Sequence, residues 1–181
     1  KGVKIFYKQP EPNYHLIPHL DAVCLKGTEA AGSIASDYVR DLNTVVNTFM
    51  KMYDIPVIAT GGIATKERIN ELLAMGVSAV GIGTLFASSA ESSLSTQAKH
   101  KLIESESSTI YDHRRYIRIS DYNQEDDKNM TNSLKQGIAG TGGHIYAGTG
   151  VSEIRDILPV SAIVARLTDN LSSADEYHHD Q

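Results

Sequence analysis

A single cysteine, Cys24, serves a chain of 181 residues. That scarcity excludes disulfide stapling and fits a reducing cytoplasm. Cys24 lies in the apolar run Ala22-Val23-Cys24-Leu25, so its thiol reads as buried and inert rather than nucleophilic. Long apolar runs are missing as well, and the longest fall far below a membrane span. Positive charge is in short supply: Lys and Arg number 17 against 22 Asp and Glu, for a net charge of -5. No basic patch stands out, which argues against nucleic acid as a partner. No secretory signal is visible, and the first residue is Lys1 rather than Met. The expectation is a piece of something longer. No metal site is assigned. What is present is apolar content of 41%, enough for one ordinary core.

The chain is organised around residues 55–86. Ile55-Pro56-Val57-Ile58-Ala59 is a short apolar run that leads into Gly61-Gly62. A second run, Ala79-Val80-Gly81-Ile82, ends in Gly83-Thr84. Both are too short for helices and are bounded by Pro and Gly, so they read as strands buried on both faces. Between them Ile69, Leu72 and Leu73 share one helical face, with Thr65 as the cap and Gly76 as the stop. The unit is β-α-β with parallel strands and a right-handed crossover. Both strands finish in glycines at their carboxyl ends, where ligands bind in α/β folds. Without a Cβ, a glycine lets a backbone N–H reach a phosphate oxygen, and the helix after Gly62-Ile63 presents its positive end. The plainer reading is that these glycines only make tight turns.

Elsewhere the same rhythm repeats and then fades. Val3–Tyr7 reads as a short strand that Pro10 and Pro12 break, followed by a helical turn or two ending near Pro18. Asp21–Lys26 is the next strand and runs into Gly27-Thr28-Glu29-Ala30-Ala31-Gly32-Ser33. Tyr38, Val39, Leu42, Val45, Val46, Phe49, Met50 and Tyr53 predict a helix, with Ser36 or Asp37 as its cap. Ser88 and Glu91 resemble a capping box for a helix reaching about residue 103. Tyr116–Ile119 alternates like an edge strand. Residues 121–132 read as a solvated loop, and the glycine-rich stretch 137–144 as a loop or lid, or else as a second phosphate cradle with 147–150. Ile154, Ile157 and Leu158, then Val160, Ile163, Val164 and Leu167, predict two short helices split at Pro159. The tail 172–181 reads as polar and frayed. The strands expected at about 3–7, 21–26, 55–60 and 78–83 amount to half of an eight-stranded barrel, and 181 residues fall short of the roughly 250 of a complete one.

Three stretches then carry a family resemblance. Lys26-Gly27-Thr28-Glu29-Ala30-Ala31-Gly32-Ser33, Pro56–Ile63 and Gly81-Ile82-Gly83-Thr84-Leu85-Phe86 resemble, in order and spacing, the FMN-dependent nitronate monooxygenases, formerly 2-nitropropane dioxygenases. Ala147-Gly148-Thr149-Gly150-Val151 looks like the family's closing segment. The resemblance implies an α/β fold, the second half of a parallel (β/α) TIM-type barrel over 1–171, with a C-terminal helical extension. It implies FMN, with its phosphate at Gly61, Gly62, Gly83 and Thr84 and its approach lined by Gly81 and Ile82. The family's loop reads Q-G-x-E-A-G-G-H, whose Gln and first Gly after Glu-Ala lie near the flavin and whose His is the base. Here Lys26 stands for the Gln, beside Gly27, while Ala31 replaces that Gly and Ser33 the His. A serine hydroxyl is no base near neutral pH without a partner. Lys26 is either a positive charge beside the flavin or phosphate, or a solvated strand end. Glu29 is either a substitute base or a loop carboxylate bound to a backbone N–H.

The implied activity is oxidation of alkyl nitronates with oxygen, the flavin doing the difficult chemistry. Two alternatives stand beside it: an enoyl-acyl-carrier-protein reductase-like enzyme using a nicotinamide, and a non-catalytic half-barrel that binds phosphate or flavin. The expected partners are a small-molecule substrate and either a complementary N-terminal half or a second copy, with no membrane.

Overall fold

The computed structural model describes residues 2–8, 14–34, 40–119 and 129–169. In chain order it forms β1 (Phe6–Lys8), a 3₁₀ helix at Tyr14–His19, β2 (Ala22–Lys26), β3 (Gly32–Ser33), α1 (Leu42–Met50), β4 (Val57–Thr60), α2 (Lys66–Ala74), β5 (Ala79–Gly81) and α3 (Thr84–Ala87). Then follow α4 (Thr96–Glu104), β6 (Thr109–Tyr111), β7 (Arg114–Arg118), α5 (Met130–Ala139), β8 (His144–Ile145), a 3₁₀ helix at Thr149–Glu153 and α6 (Val160–Thr168).

The main sheet has four strands in the order β1-β2-β4-β5, every pair parallel. The order follows the chain without a reversal. A doubly wound sheet reverses at its switch point, whereas consecutive barrel strands do not, so this is an arc of a (β/α) barrel. β2 and β4 are central, and Ala22 through Leu25 are all buried, as apolar runs in a parallel sheet should be. Tyr7, Val23, Leu25, Val57, Ala59 and Val80 pack into one cluster with Leu42, Val46 and Phe49 of α1, Ile69 and Leu72 of α2, and Ile163 and Leu167 of α6. Burying each large side chain there contributes about 1.5–3 kcal/mol. By the two-residue alternation of a strand, Lys8, Cys24, Lys26, Ile58 and Thr60 belong to the opposite, inner face. That face and the arc's ends are less covered: Val3 is 89% exposed, Ile5 51% and Phe6 63%.

The central β-α-β unit has the expected elements, but its strands are not buried on both faces: β4 alternates buried and half-buried residues and Ala79 of β5 is exposed, because the inner face is left uncovered. Thr65 caps α2, accepting the Arg68 N–H at 3.2 Å, and the helix ends just before Gly76. Other elements depart from expectation. α1 starts at Leu42, capped by Asp41, which accepts from the Thr44 N–H at 2.9 Å and its hydroxyl at 2.6 Å. Ser36 and Asp37, along with Tyr38 and Val39, lie outside the described residues. Ser88 and Glu91 form no capping box. Ser88 follows α3 and donates to the Leu85 carbonyl, and α4 is capped by Ser95 instead. Glu91 receives the Val160 N–H on both carboxylate oxygens at 2.9 Å, and so closes the start of α6, sixty-nine positions away. Pro159 precedes that helix, and residues 154–158 are not helical.

β7 is no edge strand. It pairs antiparallel with β3, β6 and β8. The stretch 129–132 belongs to α5, capped by Asn129, while 120–128 lie outside the described residues. The glycine-rich segment is not a lid: Gly137 is inside α5, Gly140 caps it, and Gly142 through Ile145 are buried. A second cluster of Ala98, Leu102, Ile117, Ile145, Ala147 and Val151 holds this part together. The tail 172–181 lies outside the described residues.

The long-range cap has a measurable consequence. Glu91→Ala should lose about 1 kcal/mol, the usual worth of a capping interaction. For a chain of this length that is a fall in Tm of roughly 2–4 °C. A thermal melt identical to the parent's would show that the contact contributes nothing.

Candidate functional site

Four chain segments meet at the carboxyl ends of the parallel strands: the loop after β2, the turn after β4, the turn after β5 and the segment 147–150. They are tied directly. Thr149 N–H donates to the Glu29 carbonyl at 2.9 Å, and Gly148 N–H donates to the Thr84 hydroxyl at 3.0 Å. The Thr60 hydroxyl donates to the Gly81 carbonyl at 3.0 Å, joining β4 to β5 at the same level. Between them is a cavity of about 140 Å³. Its lining comes from Lys8 of β1, Lys26, Ala30 and Ala31 at the end of β2, Thr60 through Ile63, Gly81, Gly83 and Thr84, and Gly148 and Gly150.

The glycines here differ in what holds them. Gly62 has φ +67°, and a Cβ on it would come within 2.6 Å of the Thr149 hydroxyl oxygen and 2.9 Å of the Glu29 Cβ. The fold itself demands that glycine. Gly83 is different: its φ is -114°, open to any residue, and a Cβ there would meet nothing within 4 Å. Packing therefore gives no reason for a glycine at 83, which borders empty space on the cavity. Turn geometry explains Gly62 and leaves Gly83 unexplained.

The first N–H groups of a helical turn have no intrahelical partner, and Gly83 and Thr84 begin α3. The start of α2 is not used in that way. Thr65 already caps it, and the lining stops at Ile63, so the backbone of the turn faces the cavity rather than the helix end.

Of the residues singled out in the sequence, Lys26, Ala31, Gly61, Gly62, Gly81, Gly83 and Thr84 come together on the cavity. Gly27, Ile82, Glu29 and Ser33 are not on its lining. Ile82 packs against the main core. Gly27 is buried where a Cβ would come 2.6 Å from the Leu42 nitrogen. Glu29 accepts the Leu42 N–H on both oxygens, at 3.0 and 3.1 Å, and thereby serves the start of α1. Ser33 is exposed in β3, paired with Arg114. Lys26 is no solvated strand end: its ammonium donates to the carbonyls of Ala31 at 2.9 Å and Ser33 at 2.5 Å, which folds the loop back over the strand. Burial lowers its pKa, and the nearby Lys8 lowers it further. Burial also pushes the Cys24 thiol up, as an inert interior cysteine requires.

Lys8, Ala30, Thr60 and Ile63 were missed by sequence reasoning, and Gly148 and Gly150 entered it only as a separate, second cradle rather than as part of this one. Lys8 had a usable signal, since it is the last residue of the first strand and strand ends converge on one site in this fold. Gly148 and Gly150 arrive from far along the chain, after a strand of only two residues, β8, that the sequence does not announce.

A family model described as Nitronate monooxygenase matches residues 17–118. Among solved structures, the M276A mutant of FabK from Thermotoga maritima is 26% identical, with a TM-score of 0.72 over 83% of this chain and 51% of its own. FabK from the same organism is 24% identical, with a TM-score of 0.71 over 83% of this chain and 54% of its own. Nitroalkane oxidase from Streptomyces ansochromogenes is 22% identical, with a TM-score of 0.75 over 94% of this chain and 57% of its own. The chain thus spans only slightly more than half the length of each. No curated protein matches it. Among the described residues no helix is long and apolar enough to cross a membrane.

Proposed function

Because the chain belongs to the nitronate monooxygenase family, we propose that it is the phosphate-holding half of an FMN-dependent oxidoreductase that oxidises alkyl nitronates with oxygen in the cytoplasm. The observation that carries this reading is Gly83, an unstrained glycine with open space where its side chain would be, on a cavity lined by the glycine turns after β4 and β5. A phosphate monoester fits that combination. Gly61, Gly62, Gly83 and Thr84 would hold the phosphate. The Thr84 hydroxyl accepts from Gly148, which leaves its own proton for a phosphate oxygen. Bound FMN would supply the acceptor for the substrate's electrons and pass them to oxygen.

The chain's residues also bear on the substrate. Ser33 occupies the position of the base, and the Glu29 carboxylate is taken by Leu42. Neither is placed to remove a carbon-bound proton, so the substrate has to arrive as the anion. Preformed nitronates satisfy that requirement and neutral nitroalkanes do not. The likeness to FabK favours a second reading, a flavin reductase fed by a nicotinamide in the manner of the enoyl-acyl-carrier-protein reductases.

Flavin absorbance and anaerobic stopped-flow reduction test these readings together. With a complementary N-terminal half supplied, the expected result is a yellow protein whose flavin bleaches rapidly with ethyl nitronate and slowly with neutral nitroethane. Ser33→His should raise the nitroethane rate if the loop keeps its geometry. Bleaching by NADPH but not by nitronate would transfer the function to the reductase reading. A protein that takes up no FMN even with that half supplied would sink both.

A further inference from the structure

Among the described residues the cavity is lined by two lysines and no acid. Lys8 and Lys26 lie on its lining, and none of the other lining residues is charged. This occurs in a chain whose net charge is -5. The two lysines come from adjacent strands, with Lys8 in register with Cys24, two positions before Lys26, so their stems run along one face toward one opening. Lys26 is half-buried and has two of its three donor positions occupied by the Ala31 and Ser33 carbonyls. A third donor remains. Two cations brought together in a partly buried place repel each other, and among the described residues no acid joins them on the lining; the lowered pKa of Lys26 has burial first and Lys8 next as its causes. An anion in the cavity would relieve both.

We infer that Lys8 and Lys26 form a charged half of the phosphate site, which makes the cavity selective for a phosphate monoester dianion rather than for any ligand the backbone N–H groups can hold. The inference rests on the phosphate end of the reading above and adds to it. Backbone cradles hold an anion through dipoles; the lysine pair supplies net charge. Affinity for the phosphate group should therefore depend strongly on salt, which screens charge. The part of a flavin beyond its phosphate should gain nothing from the pair.

Isothermal titration calorimetry of the chain with inorganic phosphate, FMN and riboflavin tests this, at low and at raised NaCl. Lys8→Met, at an open strand end, should weaken phosphate and FMN binding about three- to fivefold, in line with a largely exposed charge. Lys26→Gln should weaken both roughly tenfold or more, in line with a charge-assisted hydrogen bond. Lys26→Arg should restore most of the loss, which separates charge from loop folding. Riboflavin affinity should not move in any of them. Phosphate binding equal to the parent's in Lys8→Met and Lys26→Gln, with the same salt dependence, would overturn the inference. So would a parent that binds no phosphate. Lysine-dependent phosphate binding would uphold the inference. FMN bound no more tightly than phosphate after a complementary N-terminal half is supplied would count against the flavin reading while leaving the inference standing.

Discussion

Gly83→Val is expected to abolish FMN binding while leaving the fold in place. A side chain at 83 meets no atom of the protein within 4 Å, and its backbone has a φ of -114°, so nothing in the packing resists it. Valine is a poorer N-cap than glycine, a cost of up to about 1 kcal/mol at the head of a short helix. The melting temperature should therefore fall by only a few degrees. Binding is another matter. Two methyl groups would take up the room of a phosphate oxygen and turn it away from the N–H groups of Gly83 and Thr84. Charge-assisted hydrogen bonds are worth about 1.5–3 kcal/mol each, so losing two costs on the order of a hundredfold or more. Gly62→Val looks like the same experiment and is not. There the valine meets Thr149 and Glu29 and requires a φ of +67°. Strain of that kind costs about 1–3 kcal/mol, with overpacking of similar size added. A Gly62 variant that fails to bind FMN will have lost its fold first, so only the Gly83 variant isolates the ligand. Flavin-fluorescence titration beside a thermal melt reads both quantities. Equal FMN affinity in Gly83→Val and the parent would remove the phosphate assignment.

The parts of the molecule that were legible in the sequence are those whose cause is local. The turn from Val57 to Gly81 has apolar strands, a capping threonine and a stopping glycine all within twenty-five positions, and the structure follows them. Glu29 could be weighed correctly as a backbone partner because its loop sits close to the helix it serves. The second half of the chain was misread where distant residues decide. Glu91 looks like half of a capping box with Ser88, and only the fold reveals that it closes α6. Gly137 looks like part of a flexible loop. In the structure it is a helical residue against the His144 backbone, whose nitrogen lies 3.2 Å from where its Cβ would be, so the glycine marks close helix–strand packing and not mobility. β7 reads as an edge because its partners β3 and β8 are two residues each, too short to announce themselves. The cavity shows the same division. Its glycine turns are visible as motifs, whereas Lys8 and Gly148 reach it only through the arrangement of the strands.

FMN binding by this chain alone should be weak and should tighten sharply when a complementary N-terminal half is supplied. The arc stops at β1 on one side and β5 on the other, with no further strand paired to either among the described residues. Open rows of N–H and C=O groups at such edges invite another chain. Beside β1 the apolar side chains of Val3, Ile5 and Phe6 stand exposed, and Ala79 of β5 does too. Of the two central strands β2 is buried on both faces while β4 has its inner face only half-buried, and a barrel's inner face is normally filled by layers of side chains from all its strands. The solved relatives carry nearly twice the length that this chain matches. The cavity points the same way. At about 140 Å³ it is smaller than the roughly 300–1,000 Å³ of a typical ligand cleft. It has room for the phosphate end of a flavin, and the pocket for the ring would have to come largely from the other half. Ring contacts supply much of the apolar burial in flavin binding, so their loss should cost at least a hundredfold in affinity, about 3 kcal/mol. Native mass spectrometry during a flavin titration, with and without the N-terminal half, decides the matter. The expected outcome is a one-to-one pair of halves that takes up one FMN far more tightly than the chain by itself. A self-paired dimer with tight FMN would put a second copy in the place of that half. A stable monomer that binds FMN tightly with nothing added would show that the arc needs no completion.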